Sequence, residues 1–320
     1  MTYRIGVDLG GTNIAAGIVN ENFEIVAQGS VPTQAGRPGV EIVKDIALVC
    51  KKVIADAGLT EADIVSIGVA SPGTIDSETG SVLFAANLNF VNFSLIPLLR
   101  DMVSVKNLYI ENDANAAAWG EAIAGAAKGS RSSVMITLGT GVGGGIVENG
   151  KIHTGFNSAG AEMGHFVIEI DGRPCTCGRK GCWEAYSSAT GLIKMTKEKL
   201  AECEAQGRKT VMTEMVAQKG KVNGRIAFDG MRAGDEAAKE VVDEYIRYLA
   251  SGLESVINIF RPEVLSIGGG ISNEGQFLLD LLVPHIRMKQ VGDDSVPQTE
   301  IRIAQLRNNA GIIGAAVLGM

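Results

Sequence analysis

Two rhythms of apolar residues alternate along this chain. Residues 38–57 put Val40, Ile42, Val43, Ile46, Ala47, Val49, Val53 and Ile54 on one face at helical spacing, whereas residues 64–70 form an almost unbroken apolar run, as in a parallel strand covered on both sides. Further helices are expected over 114–127, which is alanine-rich, and over 188–204, 274–287 and 310–319. A longer one should run from Asp235, an acceptable N-cap, to Ile259, stopping before Arg261-Pro262. Strands are expected over 24–32, ending at Tyr109-Ile110, over Val264-Leu265-Ser266-Ile267, and over 300–303. Residues 206–233 are polar and basic with little periodicity, which suggests an excursion carrying short helices. Strands alternating with helices place the chain in the α/β class.

The pattern also repeats. Residues 5–20 read Ile-Gly-Val-Asp-Leu-Gly-Gly-Thr-Asn-Ile-Ala-Ala-Gly-Ile-Val-Asn, and residues 134–149 read Val-Met-Ile-Thr-Leu-Gly-Thr-Gly-Val-Gly-Gly-Gly-Ile-Val-Glu-Asn. Both run strand, Leu-Gly, tight Gly/Thr turn, and a returning strand that ends Gly-Ile-Val. Two such units imply a duplicated architecture, with two domains facing each other across a cleft.

Composition narrows the functional classes. The 320 residues suffice for two domains, and 46% apolar content supports a large core. A net charge of −7 and only 5% aromatic residues argue against a nucleic-acid surface. No stretch approaches a membrane span, and the first residues read as a strand and not a signal peptide, so a cytoplasmic protein is expected.

Three of the five cysteines lie within Cys175-Thr176-Cys177-Gly178-Arg179-Lys180-Gly181-Cys182-Trp183-Glu184, with His165 just upstream. In a reduced compartment, clustered cysteines bind metal more often than they pair. His165, Cys175, Cys177 and Cys182 therefore suggest a four-coordinate structural Zn²⁺ site with no open position. The plain alternative is a set of non-ligating thiols, one pair of which could oxidise. Cys50 and Cys203 fall in helical patterns without partners nearby and suit core or surface thiols.

Glycine is abundant, at 41 residues, and gathers in a few motifs at strand ends. Gly10-Gly11-Thr12-Asn13, Gly139-Thr140-Gly141 and Gly268-Gly269-Gly270 each follow a strand. Backbone N–H groups in such turns can face phosphate oxygens, and Asp8 is placed to face a metal ion on those phosphates through water. Tight hairpins carry glycine for structural reasons too, but three such turns in a duplicated chain favour a nucleotide. Neither the Rossmann spacing nor a Gly-x4-Gly-Lys-Ser/Thr loop is present.

Asp8-Leu9-Gly10-Gly11-Thr12, Glu111-Asn112-Asp113-Ala114-Asn115-Ala116, Leu138-Gly139-Thr140-Gly141-Val142-Gly143, Glu162-Met163-Gly164-His165 and the Cys175–Glu184 segment together resemble the repressor–open reading frame–kinase (ROK) family, over essentially the whole chain. Within it the chain looks most like the bacterial glucokinases. The resemblance implies a two-domain actin-like ATPase (ribonuclease H-like) fold. Residues 1–112 plus 305–320 would form the smaller domain, and 113–304 the larger one, which carries the zinc knuckle 165–184. It implies ATP with Mg²⁺ as donor, a hexose as acceptor, a homodimer, and closure of the domains over the sugar. Asp113 would be the catalytic base that takes the proton of the 6-hydroxyl; the same carboxylate could instead serve only as a helix N-cap. Gly73, Asn87, Asn112, Asp113, Glu162, His165 and Glu184 would line the sugar site, His165 using one ring nitrogen for zinc and the other for the sugar. Asp8, Gly10, Gly11, Thr12, Asn13, Gly139, Thr140, Gly141, Gly268, Gly269 and Gly270 would hold the nucleotide.

The chain departs from the family at one point: Asn87-Leu88 is followed by Asn89, where glucokinases often have glycine. Glucose is the expected substrate, with N-acetylmannosamine, another amino sugar or fructose behind it. A non-catalytic sugar-sensing regulator is the alternative from another class. It is disfavoured by the retained Asp113 and because the chain opens on its first strand, with no helix-turn-helix segment ahead of it.

Overall fold

The computed structural model describes residues 2–287 and 296–320. Along the chain the elements are β1 (Tyr3–Leu9), β2 (Asn13–Val19), β3 (Ile25–Pro32), α1 (Gly39–Asp56), β4 (Ile64–Ser71), β5 (Thr74–Asp76), β6 (Ser81–Ala85), β7 (Phe90–Phe93), α2 (Leu95–Arg100), β8 (Asn107–Asn112), α3 (Asp113–Ala124), β9 (Ser132–Leu138), β10 (Val142–Glu148) and β11 (Lys151–Ile152). They continue with α4 (Glu184–Ser187), α5 (Ala189–Ala205), α6 (Val211–Lys219), α7 (Ile226–Arg232), α8 (Glu236–Phe260), β12 (Val264–Gly268), α9 (Gln276–Arg287), β13 (Glu300–Ile303) and α10 (Ala310–Ala316).

The sequence repeat becomes a repeat of topology. One sheet has the order β3-β2-β1-β4-β8 and the other β11-β10-β9-β12-β13. In each, an antiparallel-type hairpin extended by a third strand is followed by two strands that arrive after a crossover. In the first sheet β1, β4 and β8 run parallel, with Asp8 level with Ala70 and Ala70 with Glu111. The C-terminal ends of these strands therefore lie side by side, the usual place for a ligand in an open α/β sheet.

By internal contacts the chain forms two compact units, one of Met1–Met135, Gly145–Ala161 and Ala304–Met320, the other of Ile136–Gly144 and Glu162–Ile303. This differs from a division at 112/113: α3 and parts of β9 and β10 go with the first unit. The reason is packing. α10 lies on α3 so closely that a Cβ on Gly314 would come within 1.7 Å of the Ala116 carbonyl oxygen. Trp119 of α3 donates its indole N–H to the Val317 carbonyl at 3.0 Å. The fully buried Glu121 accepts hydrogen bonds from the backbone N–H groups of Ala126, Gln305 and Leu306. A buried carboxylate satisfied three times over fixes α3 to the returning C-terminal segment.

The periodic helices form where expected. α1 buries Ile42, Val43, Ile46, Ala47, Val49, Val53 and Ile54, while Val40 in its first turn is exposed. α8 is capped by Asp235, whose carboxylate accepts from Ala238 N, and it ends at Arg261 in a left-handed conformation before Pro262. Its apolar stripe, Ala237 through Ile257, is buried within its own unit, so that stripe is not left over for a second copy. α10 ends at Ala316, short of residue 319, and the basic excursion contains α6 and α7. Cys50 and Cys203 are both buried. Among the described residues no helix is long and apolar enough to cross a membrane.

Candidate active site and metal knuckle

In the first unit, the ends of β1, β4 and β8 carry the expected residues. Asp8 is the last residue but one of β1, and the Gly10–Asn13 turn follows the strand, with Gly10 N donating to Asn13 O at 2.9 Å. The Asn87 side chain lies against this turn, 3.5 Å from where a Cβ on Gly11 would sit. Gly73 follows β4 at φ +99°, and a Cβ there would come within 2.1 Å of the Phe84 carbonyl, so only glycine fits. At the end of β8, Asn112 donates through Nδ2 to Gly73 O at 3.0 Å, and its Oδ1 accepts from Ala114 N and Asn115 N. Asn112 is thus the N-cap of α3, and Asp113 is its first helical residue. The capping task falls to the neighbour, and the Asp113 carboxylate accepts the Ala114 N–H at 2.8 Å.

Glu111 was not singled out from the sequence as a site residue. It is buried, and its carboxylate accepts from Ser77 Oγ, Asn112 N and Asn115 Nδ2, so it holds the β8–α3 junction in place. Burial is the main cause that lifts the Asp113 carboxyl above the usual carboxylate range, although the Ala114 N–H pulls it back. Asp8 is pushed up to about 6, first by burial and then by the charge of Asp113. Two carboxyls raised by burial, one of them also by the charge of the other, mark a place suited to a cation.

Because the folded state favours protonated Asp8, the stability it contributes is present below pH 3.8 and is lost as pH rises through about 6. Asp8→Asn removes that loss. The ligand-free variant should be more stable than the parent by about 1–2 kcal/mol at pH 8, after discounting for partial exposure, and no more stable at pH 3.5. Thermal melts at the two pH values check this; an equal shift at both would show that Asp8 is not the titrating group.

In the second unit, the Gly139–Gly141 and Gly268–Gly270 turns meet because β9 and β12 are neighbours. Gly269 has φ +81°, and its Cβ would come within 2.5 Å of the Leu138 carbonyl oxygen. Gly139 N donates to Gly141 O at 3.0 Å. Glu184, at the start of α4, reaches back across 42 residues and accepts from Val142 N at 3.0 Å through Oε2. Its other oxygen accepts from Thr176 Oγ1 at 3.3 Å. Thr140, Gly141, Cys175, Thr176, Glu184 and Thr190 line a cavity of about 360 Å³.

The cysteine segment is a small hairpin, with Pro174 bridged to Lys180 and Val167 to Cys182. It stands on Trp183, which is fully buried, stacks on Phe166 at 5.3 Å and donates through Nε1 to Tyr248 O. The ligand atoms of His165, Cys175, Cys177 and Cys182 all lie within 4.8 Å of one another. Cys175 Sγ is 3.6 Å from His165 Nδ1, and Cys177 Sγ is 3.6 Å from Cys182 Sγ. A tetrahedral ion with bonds of about 2.3 Å separates its sulfur ligands by about 3.8 Å. The four residues are thus close enough together to hold a metal ion. With Nδ1 facing the sulfurs, His165 Nε2 turns towards Glu162, whose Oε2 lies 4.0 Å away. Glu162 is well exposed.

Comparison with known proteins follows the same residues. The model of the ROK family matches residues 4–320. The chain belongs to the ROK family. A glucokinase of Halalkalibacterium halodurans is 35% identical, over 99% of this chain and 94% of the relative. An N-acetylmannosamine kinase of Citrobacter koseri is 30% identical, over 98% of this chain and 97% of the relative. Among solved structures, a ROK family glucokinase from Streptomyces griseus, in complex with glucose and AMPPNP, superposes with a TM-score of 0.80 and 33% identity, covering 99% of this chain and 98% of that one. The two like-ordered sheets are thus those of the actin-like ATPase fold.

Against the family's glucokinases, the departure at position 89 has a backbone explanation. Asn89 sits at φ +55°, ψ +35°, the left-handed region that glycine enters freely and asparagine tolerates better than most residues. Asn89 thus holds a conformation that glycine would also permit.

Proposed function

We propose that this ROK protein transfers the γ-phosphoryl group of ATP to the 6-hydroxyl of glucose. The observation that carries the reading is the Asp113 carboxylate at the β8–α3 junction, with its capping task taken over by Asn112 and its basicity raised by burial. In the reaction the glucose O6 forms a bond to the γ-phosphorus as the bond to the ADP oxygen breaks, and the O6 proton passes to Asp113. A loose phosphoryl-transfer transition state asks for a well-placed acceptor of ordinary strength, which a carboxylate supplies. Asn87 and Asp113 take the sugar hydroxyls at C3 and C4, and Glu162, His165 and Glu184 those near C1 and C2. The glycine turns take the phosphates, and Asp8 faces the Mg²⁺ that enters with ATP.

The knuckle holds Zn²⁺ in this reading, because three thiolates and an imidazole at tetrahedral separations suit that ion. With four protein ligands the ion has no open position, and it supplies order to the chain and no chemistry to the substrate. His165 Nδ1 on the metal leaves Nε2 for a sugar hydroxyl and fixes the ring.

The likeness to an N-acetylmannosamine kinase makes an amino sugar the second reading. A coupled phosphorylation assay across glucose, mannose, fructose, N-acetylglucosamine and N-acetylmannosamine decides between them. Glucose should show the highest kcat/KM. A higher value for N-acetylmannosamine would move the assignment to the second reading, and no turnover with any sugar would remove the kinase reading altogether.

A further inference from the structure

The second glycine turn can be followed bond by bond. Gly139 N–H goes to Gly141 O, and Val142 N–H goes to Glu184 Oε2. The Gly139 carbonyl accepts from Ala189 N at 2.8 Å, and the Thr140 carbonyl accepts from the Thr190 hydroxyl at 2.7 Å. Both donors sit in the first turn of α5. In a trans peptide the N–H points opposite to the carbonyl that precedes it, and there are no cis bonds among the described residues. Tying the carbonyls of Gly139 and Thr140 back to α5 therefore turns the N–H groups of Thr140 and Gly141 the other way. Among the described residues these two N–H groups have no hydrogen-bond partner. Two consecutive N–H groups turned out of a glycine turn make an anion-binding concavity.

The first turn repeats the device. Thr33 donates from its hydroxyl to Gly10 O at 2.6 Å and from its backbone N–H to Thr12 O at 2.8 Å. The tied Gly10 carbonyl turns the Gly11 N–H the other way, and that N–H is likewise without a partner among the described residues. In both repeats a threonine outside the glycine motif fixes the peptide planes within it. Thr33 is fully buried, whereas Thr190 is exposed. At the second turn, then, the carbonyl of the Thr140–Gly141 peptide is held by a hydroxyl at the surface.

We propose that Thr190 is a positioning residue for the phosphoryl donor, its hydroxyl holding the Thr140–Gly141 peptide so that the Gly141 N–H faces a donor phosphate. Without that bond the Thr140 carbonyl loses its partner, and the peptide is held only through its neighbours. The inference rests on the nucleotide role of this turn in the reading above, and it adds a residue that does not itself touch the nucleotide.

The test compares the full-length parent with Thr190→Val and Thr190→Ser, measuring ADP binding by calorimetry, with Mg²⁺ present, and steady-state kinetics for ATP and glucose. Valine keeps the shape and loses the hydroxyl; serine keeps the hydroxyl. Thr190→Val should weaken ADP and raise the ATP KM about tenfold, the effect of about one hydrogen bond, while the glucose KM changes less than twofold. Thr190→Ser should restore both nucleotide values to within about threefold of the parent. Parent-like ADP affinity in Thr190→Val, equal losses in both variants, or a parent that does not bind ADP would each overturn the proposal. Weakened ADP binding in a protein that phosphorylates no sugar would leave the proposal standing and remove the kinase reading.

Discussion

Asp113→Asn is expected to lower kcat for glucose phosphorylation by about 10³-fold, within the range that a positioned general base supplies. Dissociation constants for glucose and ADP should change less than about fivefold, because asparagine is isosteric and can still accept the Ala114 N–H. The expectation depends on what stands beside the residue. Asn112 caps α3 and Glu111 anchors the junction, so neither the helix start nor the strand end relies on the Asp113 charge. Folding should be preserved, and the loss should appear in kcat and kcat/KM alike. One further signature separates a base from a bystander. Removing the Asp113 charge removes one of the two causes that raise Asp8, so the Asp8 carboxyl should titrate lower in the variant. A variant retaining more than a tenth of the parental kcat would sink the base assignment.

The parts of this structure that the sequence disclosed are those whose signal is local. The α1 and α8 stripes have a period that only a helix satisfies, and the β1–β2 motif recurs at β9–β10 because the two sheets share one strand order. The clustering of the cysteines was legible from spacing, since Cys175, Cys177 and Cys182 are too close in the chain to be far apart in space. The small sheet β5-β6-β7 went unread. Its strands are short, and it leaves Phe84 and Val91 exposed, so apolar residues do not mark a single buried face. α2 was hidden by Pro97, which reads as a breaker but is tolerated in a first turn, where its missing N–H has no helical partner to lose.

Site residues divide the same way. A motif at a strand end could be found, but whether Asn112 or Asp113 caps α3 is a one-residue question that only the backbone answers. The bonds from Glu184 to Val142 and from Thr190 to Thr140 span 42 and 50 residues and depend on the folded turn, with no local signal. Glu184 therefore joins two motifs that look independent in the sequence, the cysteine hairpin and the second glycine turn.

That link gives the second large effect. The purified protein should contain one zinc per chain by elemental analysis, and Cys182→Ala should abolish that binding. Cys182 is buried next to Trp183, so losing the metal withdraws an ordering term in a well-packed place. Free zinc-finger peptides gain about 10–16 kcal/mol from the ion; here Trp183, Phe166 and Tyr248 already hold the base of the hairpin, so the loss should be a small part of that, about 2–4 kcal/mol, with a clear fall in Tm. The kinetic consequence is more telling. His165 loses the partner that fixes its ring, and Glu184 loses the ordered Thr176 that holds its Oε1. Glucose KM should rise at least tenfold. ATP KM should rise as well, by a smaller factor, because Val142 N keeps only an unanchored Glu184 as acceptor. Thr176→Val isolates this route: zinc content and Tm stay at parental values while both KM values increase modestly. Protein that is fully active with no bound metal would remove the ion from the site, and a Cys182→Ala variant with unchanged glucose KM would show that the knuckle does not serve the sugar.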